Sequence, residues 1–285
     1  MCRFLVYKGR EMFMSDLLTK SAQSLIQQSF KAREYHEPLN GDGFGVGWYV
    51  PEIDHLPCVF TSVQPAWSNR NLRRLADKIR SPLFFAHVRA ATPGLAVNEA
   101  NCHPFQYDRF LWMHNGSING FAKIKRKLRA SLNDDVYEII GGTTDSEHAF
   151  ALFLNHLLPH LDDYTQDDLA DAMKFTILQM ETWLREAGVT DSSRFNFAVT
   201  DGMTVVASKY VAVSDSDPLT LYVSSGDRFE ITDGEYRMRP TSRRAHAVII
   251  ASEPLTESRA DWTPVPKNNL VMITPELHVR YLPVD

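Results

Sequence analysis

The chain begins Met1-Cys2-Arg3-Phe4-Leu5-Val6-Tyr7-Lys8-Gly9-Arg10 (MCRFLVYKGR), with a cysteine directly behind the initiator methionine and an apolar, strand-like run behind that. Methionine is removed efficiently when the next side chain is small, so a mature chain starting at Cys2 would carry a thiol and a free α-amine on one carbon. An α-amine with a pKa of about 7.7–8.0 is partly neutral near pH 7 and can take the thiol proton, where an internal cysteine would need a separate histidine. The strand that follows would hold this terminus in place.

Working outward, residues 3–8, 43–50, 58–63, 82–89 and 109–114 read as strands, being short, β-branched or aromatic, and bounded by Gly, Pro or Asn. Two amphipathic helices lie between them, the first after Ser21 (Leu25, Ile26, Phe30) and the second after Ser68 (Leu72, Leu75, Ala76, Ile79), with the serines as N-caps. The middle is helical over about 121–132, 145–158 and 167–187. Strands return in 194–210, where Asp201-Gly202 predicts a type I′ hairpin turn, and again over 219–224, 246–252, 270–273 and 277–282. Strands, a helical block and strands again, without a linker or repeat, predict one α+β domain over 2–285 built from two stacked sheets covered by helices.

The bulk composition narrows the class. At 285 residues with 44% hydrophobic and 23% charged content the chain can build a sizeable core. A net charge of -5 gives no reason to expect nucleic acid or an anionic membrane, and no run reaches the roughly 18 apolar residues of a spanning helix. The amino terminus lacks a signal-peptide pattern, so a cytoplasmic protein is expected. Cys2, Cys58 and Cys102 are too few and too irregularly spaced for a disulfide framework or a metal site. Cys58 reads as a small buried hydrophobe, and Cys102 lies in a polar loop. There is no HExxH, and Pro159 spoils the turn that would align His156 with His160, so neither metal nor cofactor is expected. In KIKRKLR (123–129), Ile124 and Leu128 at i, i+4 mark an amphipathic helix whose basic residues form its solvated face, a surface for a protein partner rather than for nucleic acid.

Five stretches carry chemistry. In NGDGFGVGW (40–48) glycines recur at every second position, giving a strand one side-chain-free face that another backbone or a ligand can approach; a dinucleotide loop would need other spacing and a following helix. FFAHVRAATPG (84–94) sets Arg89 at the end of an apolar strand, where its guanidinium needs a fixed anion, either a structural carboxylate or a ligand. NCHPF (101–105) carries Cys102 and His103. WMHNGSING (112–120) puts Asn115-Gly116 after a strand, readable as a turn or as a two-donor oxyanion hole. In GGTTDSEHAF (141–150) Thr144 and Glu147 form a capping box, and Asp145 either complements the helix dipole or faces a pocket to bind an ammonium.

Taken together and in this order, Cys2, HVRAATPG, NCHPF, HNG and TDSE resemble the class II glutamine amidotransferases. The likeness covers the whole chain. MCRFLVYKG, NGDGFGVGW, AHVRA, NCHPF and IKRKL are most similar to the amidotransferase-like subunits of fungal glutathione-degradation complexes. The resemblance implies an N-terminal-nucleophile αββα four-layer sandwich of two stacked, mainly antiparallel sheets. It further implies Cys2 as nucleophile with its own α-amine as base, and Asn115 with the Gly116 N–H as oxyanion hole. Arg89 would hold the substrate α-carboxylate and Asp145 its α-ammonium, with Thr92 and His103 lining the same pocket. Larger synthase-type members have Trp after the Arg and His before the turn glycine; Ala90 and Pro93 stand there in this chain.

The expected activity is hydrolysis of a γ-glutamyl amide through a γ-glutamyl thioester, on glutathione or a related compound, in complex with a metallopeptidase-like partner that the fungal resemblance implies. Two other readings are a glutaminase supplying ammonia to a separate synthase and a catalytically silent interaction subunit. The recognisable residues hold only the glutamyl half, which glutamine and glutathione share.

Overall fold

The structure is a computed structural model describing residues 2–34, 39–91, 97–161, 163–212, 216–241 and 243–284. In chain order its strands are β1 (Arg3–Phe13), β2 (Phe44–Tyr49), β3 (Pro57–Ser62), β4 (Arg80–Val88), β5 (Phe105–Tyr107), β6 (Phe110–Ser117), β7 (Arg194–Thr200) and β8 (Val205–Lys209). There follow β9 (Tyr222–Gly226), β10 (Arg228–Thr232), β11 (Glu235–Arg239), β12 (Ala247–Ala251), β13 (Thr263–Pro264), β14 (Asn269–Ile273) and β15 (Val279–Pro283). The helices are α1 (Leu25–Gln28), α2 (Arg70–Ala76), α3 (Phe121–Ala130), α4 (Asp134–Glu138), α5 (Asp145–Leu157) and α6 (Gln166–Glu186).

The two large sheets have the orders β13-β9-β12-β1-β4-β2-β3 and β15-β14-β8-β7-β6-β5, β10 and β11 form a separate two-stranded sheet, and neighbours are antiparallel throughout. The two stack face to face because each strand alternates sides with period two. Phe4, Val6, Phe85, Val248 and Ile250 of the first sheet meet Leu111, Met113, Ala198, Ala207 and Val271 of the second in one buried cluster. The intervening residues point outward. Leu5, Tyr7, Phe84 and Ile249 pack under the first helical layer with Leu25 and Leu72, and Trp112, Phe197, Val206 and Met272 pack under α3, α5 and α6. Both faces of both sheets are covered, which is why the strands read as apolar runs rather than as clean alternations. This is the αββα N-terminal-nucleophile sandwich that the resemblance implied.

Several local expectations are corrected. The caps of the first two helices are Ser24, whose hydroxyl accepts from Gln27 N, and Asn69, whose amide oxygen accepts from Leu72 N, in place of Ser21 and Ser68. The β7–β8 connection is a four-residue loop in which the Asp201 carboxylate accepts from Met203 N and Thr204 N, so Asp201-Gly202 is no two-residue turn. The two-residue turn with positive φ at both positions is Asp233-Gly234 (54° and 84°), joining β10 to β11, a hairpin the sequence reading passed over. Cys58 is exposed rather than buried, since it sits on β3, the edge of its sheet. Among the described residues no helix is long and apolar enough to cross a membrane.

The glycine-rich strand is explained by close approach. A Cβ on Gly45 would collide with the His103 carbonyl oxygen, and one on Gly47 would meet Leu111 Cδ1 at 2.8 Å and Pro104 Cγ at 2.9 Å. The face without side chains thus receives the backbone of NCHPF.

Candidate active site

β1 lies between β12 and β4, so the backbone leaving Cys2 is hydrogen-bonded along both edges; Arg3 is opposite Val88 and Leu5 is opposite both Ala86 and Ala251. The start of β1 therefore meets the end of β4. Ala90, two residues past β4, brackets the Cys2 sulfur: its N–H donates to Sγ at 3.4 Å and its carbonyl accepts from Sγ at 3.5 Å. Burial pushes the thiol up from its ordinary value, while the Ala90 N–H and the charges of Arg89 and Arg3 pull it down.

Arg3 fixes the terminus from the other side. Its Nη1 donates to the Cys2 carbonyl at 2.9 Å, and its Nε and Nη2 reach one Glu253 oxygen at 2.8 and 2.7 Å. The second Glu253 oxygen accepts from Arg33 N at 2.8 Å. Arg3 and Glu253 are both buried, and removing either would strand the other's charge.

Arg89 is 3% exposed. Its backbone is held by Gly43 O and Asp42 N, and its Nη1 donates to the Asp42 carbonyl at 3.3 Å. Among the described residues no carboxylate pairs with it. The Asp42 carboxylate is turned to Ala91 N, at 2.8 Å. Of the two sequence readings of Arg89, the structural salt bridge is thus absent among the described residues, and a buried guanidinium is left without an acid partner among them.

From the other sheet, β6 supplies His114, Asn115 and Gly116. The Asn-Gly pair lies inside the strand, opposite Asn196 and Phe195, so the turn reading is corrected. Glycine is required here because a Cβ on Gly116 would strike the Arg194 carbonyl and His114 Nε2. The sheets are tied at this end by His87 Nε2, 3.1 Å from the His114 carbonyl. Asn115 Nδ2 lies 3.3 Å from Ser252 Oγ, and its Oδ1 is buried with no partner among the described residues.

Asp145 opens α5 and faces the end of β6. Its Oδ2 accepts from Ile118 N at 2.8 Å, and its Oδ1 accepts from Ser146 N at 2.8 Å. Thr144 caps the helix through Glu147 N, but Glu147 does not complete the capping box. Its carboxylate takes Gly141 N and Gly142 N at 2.8–3.0 Å, folding the glycine loop onto the helix start. Burial raises the Glu147 carboxyl and those two N–H groups lower it.

His103 is buried against His87 with ring centroids 4.2 Å apart, and neither of its ring nitrogens has a partner among the described residues. Burial drives His87 down to about 3 and His103 well below the usual histidine range, so both are neutral. Thr92 lies outside the described residues. Cys102 is buried, its sulfur directed at Ser62 O and Asn98 O rather than at Cys2.

Sequence reasoning missed Arg3, Asp42, Ser252 and Glu253. The signal for the last two was available: Ser252-Glu253 is a polar pair emerging from the apolar run 247–251, the same pattern that singled out Arg89. A separate cavity of about 860 Å³, lined by Glu230, Arg237, Asp261 and Tyr281 among others, contains none of these groups.

Cys2, Arg89, Asn115-Gly116 and Asp145 thus come from four elements that end or begin at one end of the sandwich. The family described as glutamine amidotransferases class-II matches residues 14–278. The probable glutamine amidotransferase DUG3 of Saccharomyces cerevisiae is 44% identical over 292 residues, covering 96% of this chain and 82% of that one. The gamma-glutamyl-hercynylcysteine sulfoxide hydrolase of Mycobacterium tuberculosis is 26% identical, covering 96% and 93%. A solved glutamine aminotransferase class-II domain protein from Silicibacter pomeroyi superposes with a TM-score of 0.68 at 26% identity, over 99% of this chain and all of the other. With the sandwich and the matched span in agreement, this chain belongs to the class II glutamine amidotransferases and is an amidohydrolase.

Proposed function

We propose that the protein hydrolyses γ-glutamyl amides with Cys2, exposed by loss of Met1, as nucleophile. The observation that carries this reading is Arg89, a buried guanidinium with no acid partner among the described residues, one residue before the Ala90 that brackets the Cys2 sulfur. A substrate α-carboxylate supplies the missing anion, and the Asp145 carboxylate takes the α-ammonium.

The chemistry then runs on this chain's own groups. The Cys2 α-amine takes the thiol proton, and the sulfur attacks the γ-glutamyl carbonyl carbon. The resulting oxyanion is met by the Asn115 amide and the Gly116 N–H, the kind of donor whose removal costs about 3–4 kcal/mol. Collapse expels the leaving amine, which departs with the proton that the Cys2 α-amine took from the thiol, and a γ-glutamyl thioester remains. Water, deprotonated by the Cys2 α-amine, attacks the thioester; glutamate is released, and the Cys2 α-ammonium returns the proton to the sulfur.

The substrate we favour is glutathione or a related γ-glutamyl compound, cleaved in the cytoplasm within a complex. The clamp holds only the glutamyl half, so discrimination against glutamine must come from contacts to the Cys-Gly half. A metallopeptidase-like partner that completes the leaving-group side fits the resemblance to the fungal subunits, with the α3 face of Lys123, Lys125, Arg126, Lys127 and Arg129 as part of the contact. Glutamate release from glutamine, glutathione and γ-glutamyl dipeptides, with and without that partner, tests this. Glutathione cleavage that is weak alone and strongly stimulated by the partner is expected. No release from any of the three, with or without partner, would refute the hydrolase reading.

A further inference from the structure

Ser252 follows β12 and is 1% exposed. It is locked to the nucleophile strand, since Phe4 N–H donates to its Oγ at 3.0 Å and its own N–H donates to Phe4 O at 3.1 Å. Its carbonyl accepts from Thr220 Oγ1 at 2.8 Å. The same Oγ reaches across the sandwich to the Asn115 side-chain amide, 3.3 Å away. One hydroxyl therefore touches both the strand that carries Cys2 and the residue assigned to the oxyanion.

A hydroxyl has one hydrogen to give and two lone pairs to offer. With Phe4 N–H and the Asn115 NH2 both donating to it, the Ser252 hydrogen has no acceptor among the described residues, and the buried Asn115 Oδ1 has no donor. Two buried groups are then left unsatisfied at one contact, which is costly. Rotating the amide half a turn exchanges two atoms of nearly equal size, pairs the Ser252 hydrogen with Asn115 Oδ1, and leaves a single unsatisfied group, the NH2. Ser252 Oγ–H donates to Asn115 Oδ1, Phe4 N–H still donates to Ser252 Oγ, and the NH2 takes the buried position that has no partner. A donor left there needs an acceptor, and a developing oxyanion is one.

We propose that Ser252 is a positioning residue that turns the Asn115 amide so that its NH2, and not its oxygen, faces the reacting carbonyl oxygen. This rests on the γ-glutamyl amide hydrolase reading above. Without the hydroxyl, the Phe4 N–H loses its acceptor and the amide loses the group that distinguishes its two ends.

The test uses the full chain and release of p-nitroaniline from γ-glutamyl-p-nitroanilide. Ser252→Ala is expected to lower kcat by about 10- to 100-fold, a fraction of what loss of an oxyanion donor brings, with KM within about threefold of wild type. Ser252→Thr, which keeps the hydroxyl, restores the rate, and Ser252→Ala combined with Asn115→Ala is no slower than Asn115→Ala alone. Losses that multiply in the double variant, or a change in KM with kcat intact, would overturn the proposal. A second readout does not depend on turnover or on the folding of a variant. In neutron diffraction of the deuterium-exchanged wild-type protein, the Asn115 deuterons are expected on the atom turned away from Ser252, with the Ser252 deuteron pointing at Asn115. The reverse arrangement would overturn the assignment outright. Wild-type protein that shows the expected deuterons but never releases p-nitroaniline or glutamate would refute the hydrolase reading and leave the orienting role standing.

Discussion

The Cys2 sulfur lies between the N–H and the C=O of a single residue, Ala90, 3.4 Å from the nitrogen and 3.5 Å from the oxygen. The thiol donates to the oxygen and the thiolate accepts from the nitrogen, so proton loss exchanges one hydrogen bond for the other without moving the chain. Cys2→Ala is expected to abolish glutamate release while leaving the melting temperature near wild type. A chain that retains Met1 has an amide nitrogen where the base should be and is expected to be inert. Intact-mass spectrometry paired with activity checks this; full turnover by a Met1-retaining preparation would exclude the α-amine as base.

Arg89 separates function from stability. Replacing it by methionine removes a buried charge that has no acid partner, so the melting temperature should hold or rise. The same change should cost roughly 2–5 kcal/mol in kcat/KM, the range for deleting one partner of a buried charged hydrogen bond. Asp145→Asn should lose activity on a similar scale while keeping an oxygen for Ile118 N. Early melting with an unchanged kcat/KM would show that Arg89 is structural.

Acid should destabilise the fold through the histidine pair. His87 titrates near 6.5 when unfolded and is driven by burial to about 3 when folded, and His103 shifts in the same direction. The unfolded chain therefore binds more protons below pH 6.5, and this contribution, complete above 6.5, is lost as pH falls toward 3. Each such group gives a slope approaching about 1.4 kcal/mol per pH unit. His87→Gln keeps a donor for the His114 carbonyl but cannot titrate, so its denaturation midpoints between pH 7 and 4.5 should fall less steeply than those of wild type. Equal slopes would mean that His87 is not held neutral.

The glycine face of β2 can be tested by a single methyl. Gly45→Ala drives a Cβ into the His103 carbonyl and to 2.9 Å from Thr61 Cγ2. It should cost about 1–3 kcal/mol, as overpacking does. Gly141→Ala meets nothing within 4 Å and serves as the neutral control. Urea midpoints of the two variants should differ by that margin; equal midpoints would mean that β2 and the 102–104 segment separate at little cost.

The layers were legible in the sequence because the sheets are covered on both faces, and apolar runs such as 82–89 and 246–252 carry that information directly. Arg89 and Asp145 were legible for a related reason, as charges placed where an apolar element ends or a helix begins. Ser252 and Glu253 sit in the same kind of place but lie far from Cys2 along the chain, and only the pairing of β12 with β1 brings them to it. The turns failed where one motif had two possible uses. Asp201-Gly202 spends its carboxylate on the loop's own N–H groups, while Asp233-Gly234 has the positive φ angles that the motif predicts.

Arg89 and Asp145, as assigned, grip the part of the substrate that hydrolysis leaves untouched. Glutamate keeps both the α-carboxylate and the α-ammonium, so cleavage loosens neither grip, and the departing amine is the only piece that leaves unassisted. Free glutamate should therefore compete with substrate, raise the melting temperature with a logarithmic dependence on its concentration, and lose that effect in Arg89→Met. The clamp that selects the substrate would then also make the enzyme a reporter of its own product, slowing as glutamate accumulates.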